Sequence, residues 1–313
     1  MYNVKVGEQR GQHQETLSPI PLSNSRLKPY IELTKPRITW LILMSTGIGY
    51  FFGMRVNGGP AVWHWAALLH TILGTGLIAS GTAALNQWYE READSKMRRT
   101  QARPLPSGRL SASNALLFGA AISTVGFIEL WLGVNRLTAL LGLFTLASYL
   151  FVYTPLKQRS PYSTTIGAIP GAMPPLIGYA AASGTLNSNA WILFAIVFLW
   201  QFPHFYAIAW MYREDYERAG IRMLPVVEPD GESTARQIFI YSLILLPMSL
   251  IPSLFAMTGY LYLIGALALG AYYVYASTRV RFHRTRLQAR RVLLASIVYL
   301  PLLYGLMLID HVA

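Results

Sequence analysis

The stretch Trp65-Ala-Ala-Leu-Leu-His-Thr-Ile-Leu-Gly-Thr-Gly-Leu-Ile-Ala-Ser-Gly-Thr-Ala-Ala-Leu85 carries no Lys, Arg, Asp or Glu. It then breaks into Asn86-Gln-Trp-Tyr-Glu90-Arg-Glu-Ala-Asp94-Ser-Lys-Met-Arg-Arg99-Thr-Gln-Ala-Arg103-Pro-Leu-Pro106. As a helix, the first part is about 30 Å long, the thickness of a bilayer's hydrocarbon core. Asn86, Glu90 and Asp94 recur every fourth position, so on a helix they form one stripe roughly 12 Å long. Such groups at the end of a membrane helix are costly unless something cationic meets them. A hard divalent cation holding a diphosphate would do so, and Lys96, Arg98, Arg99 and Arg103 would hold the diphosphate's remaining charge.

The rest of the chain supports a membrane setting. Its 313 residues are 53% hydrophobic and only 13% charged, about half the charged fraction of a soluble protein. The apolar residues fall into nine spans, at about 38–56, 65–85, 112–133, 137–154, 163–182, 190–210, 236–258, 260–278 and 292–309. With Arg236 counted at its loop border, 24 of the 26 Lys and Arg fall on one side of this map; only Arg55 and Arg136 fall on the other. The positive-inside rule then places the N-terminus in the cytoplasm and the C-terminus outside. The expected fold is an all-α polytopic membrane helix bundle. The net charge of +12 is explained by cytoplasmic loops against anionic lipid and gives no argument for a nucleic acid partner. With no cysteine, disulfides, thiolate nucleophiles and sulfur metal sites are excluded. Residues 1–24 are polar, lack a signal-peptide core, and read as a mobile cytoplasmic tail before a single membrane domain, 25–313.

Two inside loops are long and charged. The second, Trp200-Gln-Phe-Pro203-His204-Phe through Tyr212-Arg213-Glu214-Asp215-Tyr216-Glu-Arg218, loosely echoes the first, as an old internal duplication would. Span five carries Pro170, Pro174, Pro175 and the pair Gly167 and Gly171. That pattern fits a kinked, tightly packed helix, or a broken helix lining a cavity. Ser233 or Thr234 is a candidate cap for span seven. Glu129 inside span three is costly there and calls for a hydrogen bond or a boundary position.

These motifs, taken together, resemble those of the UbiA-type intramembrane prenyltransferases. The resemblance runs from about Leu33 to the last span. Asn86-xxx-Glu90-xxx-Asp94, with Arg99-Thr100-xx-Arg103-Pro104-Leu105, is similar to the family's first motif. Tyr153-Thr-Pro-Leu-Lys157, Pro174-Pro175-Leu-Ile-Gly178, and Trp200-x-Phe-Pro203-His204 with Asp215-Tyr216 resemble the branch that farnesylates protohaem IX. The second motif departs from the wider family: Tyr212 and Tyr216 stand where carboxylates are usual, which puts a second metal in question.

The resemblance implies transfer of the farnesyl group of farnesyl diphosphate to a vinyl group of protohaem IX, with water addition. Mg²⁺ would sit on Asn86, Glu90 and Asp94, and Arg99, Arg103 and Lys157 would stabilise the departing diphosphate. Asp215, Arg218 and Tyr153 would support substrate, and haem A synthase or terminal oxidase assembly would be partners in a bacterial inner membrane. Two readings of His204 stand open: a hydrogen-bonded core residue, or a contact to haem iron or the capturing water. The alternatives are prenylation of another aromatic acceptor, such as a quinone precursor, and a polytopic transporter. A transporter would carry ionisable groups at several span centres, where this chain has only Glu129. A scaffold would not need the Asn/Glu/Asp stripe.

Overall fold

A computed structural model describes residues 27–55 and 64–312; the expected tail, 1–24, lies outside them. Among the described residues the only β pairing is an isolated bridge between Thr258 and His311, and the rest is helix and turn. Among the described residues, seven helices are long and apolar enough to cross a membrane: Trp65–Tyr89, Ala112–Gly133, Arg136–Leu156, Ser188–Met211, Glu232–Leu254, Tyr260–Phe282 and Arg286–Ile309. They coincide with seven of the nine expected spans. The expected first span is the 18-residue helix Pro36–Gly53. The expected fifth is two pieces, Ser163–Gly171 and Met173–Ser183. Large apolar side chains such as Trp40, Leu117, Leu132 and Ile264 point outward over half exposed, as a lipid-facing belt does. The protein is an integral membrane helix bundle.

The broken fifth element lies inside the bundle, with Met173 through Ala181 buried. Two glycines explain how it gets there. A Cβ on Gly178 would collide with the Thr46 carbonyl, and one on Gly49 with the Pro175 carbonyl. Only glycine lets these two backbones approach so closely. Both readings of the fifth span therefore hold: it packs tightly, and Pro170, Gly171 and Pro174 line an apolar cavity.

Sequence and structure differ at three places. The Asn86–Asp94 stripe does not lie on one helix: Trp65–Tyr89 ends, and a short helix, Arg91–Lys96, follows. Glu90 N–H still donates to the Asn86 carbonyl and Asp94 N–H to the Glu90 carbonyl, so the fourfold stacking survives the break. The fourth span departs from α geometry over Ser148–Tyr153, a π turn immediately before Pro155. Proline has no N–H and its ring crowds the carbonyl four residues earlier, which a widened turn relieves. Finally, the cap of Glu232–Leu254 is Gly231, at φ 70°, rather than Ser233 or Thr234. The turn closes earlier because Asp230 Oδ1 accepts the Glu232 N–H at 3.1 Å.

Candidate active site

Asn86, Glu90 and Asp94 are 3%, 5% and 1% exposed, so the stripe faces inward and is no solvated helix end. Each member meets a group from elsewhere in the chain. Asn86 donates to Thr154 Oγ1 at 3.3 Å and accepts from Lys35 Nζ at 3.5 Å. Glu90 pairs with Lys157 at 3.0 Å, and Asp94 Oδ2 accepts from Arg103 at 2.6 Å. Local pairing of Asp94 with Arg98 does not occur; Arg98 is exposed. Glu92, off the stripe, is also exposed, and its carboxylate pairs with Arg91 at 3.5 Å.

The π turn sets this geometry. It rotates the end of the fourth span so that Thr154 reaches Asn86 and Lys157 reaches Glu90. Tyr153 stands under the Lys157 ammonium, 5.7 Å from ring centre to nitrogen. Burial alone would raise the Glu90 carboxyl, but Lys157, helped by Lys35 and Arg103, leaves it below its usual value. Burial likewise opposes charge on Lys157, yet Glu90 and the surrounding tyrosines hold its pKa well above the usual one.

Lys35 was not among the expected site residues. It caps Pro36–Gly53 at φ 48°, a left-handed conformation unusual for a side-chain-bearing residue. Burial, reinforced by repulsion from Arg103 and Lys157, lowers its pKa to about 7. A lysine before the first span reads in sequence as one more positive-inside charge. The one signal it carried was Pro36, which bars its residue from the α region.

The second loop folds onto the first. Asp215 accepts the backbone N–H groups of Arg98 and Arg99 at 3.4 and 3.3 Å and pairs with Arg218. Arg99 donates to Tyr216 at 3.3 Å and lies over the Tyr212 ring at 5.0 Å. Tyr212 and Tyr216 therefore hold an arginine here. His204 stands apart from this cluster: its Nδ1 is 2.7 Å from Ser296 Oγ on the last helix, and its ring stacks on Trp200. The Ser296 hydroxyl also donates to the Leu293 carbonyl. Its single proton thus spent, Ser296 accepts from Nδ1–H, which leaves Nε2 with the lone pair. Glu129 bonds His70 at 2.7 Å, the hydrogen bond its place in a span required.

Among the described residues no three His, Cys, Asp or Glu converge as a ready metal cluster. The donor set nevertheless suits Mg²⁺. That ion prefers hard oxygens, keeps several waters, and is usually held by one or two carboxylates together with substrate phosphates. Glu90 and Asp94 supply two carboxylates and Asn86 an amide oxygen. Asp94 Oδ1 is buried with no hydrogen-bond partner, an unmet demand that a cation would satisfy.

Residues 42–300 match the model of the UbiA prenyltransferase family. The chain belongs to that family. Among similar UbiA-family proteins is the protohaem IX farnesyltransferase of Solibacter usitatus, 65% identical, with the alignment covering 91% of this chain and 99% of the relative. That of Koribacter versatilis is 48% identical, covering 94% and 96%. The fold resembles a digeranylgeranylglyceryl phosphate synthase structure at TM-score 0.75 and 17% identity, covering 91% of this chain and 98% of that one. It also resembles a UbiA homologue from Archaeoglobus fulgidus bound to GPP and Mg²⁺, at TM-score 0.62 and 15% identity, covering 89% and 99%.

Proposed function

We propose that this enzyme transfers the farnesyl group of farnesyl diphosphate to a vinyl group of protohaem IX, with water adding to the product, giving haem O and diphosphate. The observation that carries the diphosphate half is the buried Asn86–Glu90–Asp94 stripe ringed by Lys35, Arg103 and Lys157. Near-complete alignment with protohaem IX farnesyltransferases supports the acceptor.

Asn86, Glu90 and Asp94 would hold Mg²⁺, which supplies Lewis-acid neutralisation of the leaving diphosphate. Lys157 and Arg103, now spent on the two carboxylates, turn to the phosphate oxygens when substrate arrives, and Arg99 adds a third charge. All three stabilise negative charge developing on the leaving group. The apolar cavity opens beside Lys35 and Tyr149 and runs inward between four helical elements; it takes the prenyl chain. Tyr149 lines the cavity and Tyr153 packs edge-on against Tyr149 at 4.9 Å between ring centres; their ring faces would stabilise an allylic cation. His204 would offer its Nε2 lone pair to haem iron or to the capturing water, and Asp215 and Arg218 would brace the loop that carries Arg99. Nine spans, an N-terminus in the cytoplasm and a bacterial inner membrane complete this reading, with the catalytic loops on the cytoplasmic face. Haem A synthase or terminal oxidase assembly would take the product.

Purified protein incubated with farnesyl diphosphate, haem B and Mg²⁺ should yield a farnesylated, hydroxylated haem by mass analysis. Prenylation of a quinone precursor alone would overturn the acceptor.

A further inference from the structure

The apolar cavity has a floor. Its deepest lining residues on three elements are Thr75, Gly142 and Ile177. Each lies fourteen residues from the loop end of its own segment, at Tyr89, Leu156 and Ser163 respectively. Counted along the chain, three different elements thus contribute lining at a similar distance from the loops. From Asn86, where the polar cluster begins, to Thr75 is eleven helical residues, about 16 Å. Three isoprene units laid along C–C bonds of about 1.5 Å extend about 14 Å. A fourth unit would overrun the floor.

The space ends for a specific reason. A Cβ on Gly142 would lie 2.8 Å from Ile78 Cδ1 and 3.2 Å from Leu130 Cδ1. Ile78, Leu130 and Ala139 form one buried cluster behind it, with Leu130 and Ala139 fully buried. The ends of Ile78 and Leu130 fill the place a side chain at 142 would take, so Gly142 lets this pair close the cavity wall at that depth. Thr75, at the same level, has a buried hydroxyl with no partner.

We propose that Gly142, Thr75 and Ile78 form a ruler that sets the length of the prenyl chain at three isoprene units. This rests on the cavity being the prenyl site, as proposed above. Bulk added at the floor should shorten the accepted chain, and bulk removed should lengthen it. Gly142→Leu displaces the flexible end of Ile78, itself a lining residue, into the cavity floor. Thr75→Leu adds volume at the same depth without breaking a hydrogen bond, so it tests the idea independently should Gly142→Leu fail to fold. Ile78→Ala opens the floor.

The test compares geranyl, farnesyl and geranylgeranyl diphosphate on the Mg²⁺-supplied enzyme, by calorimetric binding and by turnover with haem B. Gly142→Leu and Thr75→Leu should shift the geranyl-to-farnesyl preference at least tenfold toward geranyl. Ile78→Ala should raise geranylgeranyl use at least tenfold. One methylene more or less in an apolar pocket is worth about 10- to 200-fold. An unchanged ranking in folded variants, or an equal loss for all three chains, overturns the ruler. If the wild type binds the diphosphates but transfers none to haem, the acceptor assignment fails while the binding ranking still decides the ruler.

Discussion

Asp94 has Arg103 on one carboxylate oxygen and nothing on the other. A buried carboxylate used only structurally has its lone pairs filled; one left open at a phosphate-sized cluster of cations is set for a ligand. Asp94→Asn and Glu90→Ala should therefore lower turnover on the order of 10²-fold or more, with an unchanged helical spectrum in detergent. Glu92→Ala, on an exposed carboxylate, should stay within about twofold, since surface ion pairs contribute little. Near-normal rates in folded Asp94→Asn would remove the stripe from the mechanism. Lys35→Met should act mainly on KM for the diphosphate substrate, because its ammonium sits at the cavity mouth beside Asn86. A variant with wild-type KM would return Lys35 to a topological role. His204→Ala should weaken haem binding while farnesyl diphosphate still binds with Mg²⁺ as before, since none of its recorded partners belongs to the diphosphate cluster. Equal weakening of both substrates would leave His204 as a packing residue.

At the scale of elements, the two loops work as one unit pinned by Asp215. Its carboxylate receives two backbone N–H groups of the first loop as well as Arg218. Asp215→Asn keeps the shape but halves the acceptors and removes the charge, so the Met97–Arg103 segment should loosen. The expected result is faster protease cleavage in that segment and a roughly tenfold rise in KM for farnesyl diphosphate. Unaltered cleavage would mean the loop is held from elsewhere. The spans were legible because each is a long apolar run, and the Asn86–Asp94 stripe because its fourfold spacing outlasts the break at Tyr89. The π turn was not legible: Pro155 announces a disturbance, but a kink, a break and a widened turn all relieve the same clash. Lys157 was found only through resemblance, since its approach to Glu90 depends on that turn. Lys35 was missed because its role comes from a left-handed backbone rather than from its neighbours in sequence.

For the whole molecule, polar chemistry concentrates at one face. The stripe, the π turn's end and the second loop all cluster where helix Trp65–Tyr89 ends. The opposite face holds local ties, such as Arg55 to the Val312 carbonyl and Asp310 to the Tyr262 N–H. On the nine-span map proposed above, 24 of the 26 basic residues fall on the catalytic side, so insertion should place it in the cytoplasm. The absence of cysteine makes this directly measurable, because any introduced thiol is the chain's only one. Gln101 and Thr185 are both exposed in loops, on opposite faces if nine segments cross. In inverted membrane vesicles a membrane-impermeant maleimide should label Gln101→Cys and spare Thr185→Cys; in intact spheroplasts the order should reverse. Labelling of both from one side would mean that the element broken at Ala172 does not cross. Reversed labelling would place the catalytic loops outside, against the charge distribution, and diphosphate substrate would then have to arrive from the other side of the membrane.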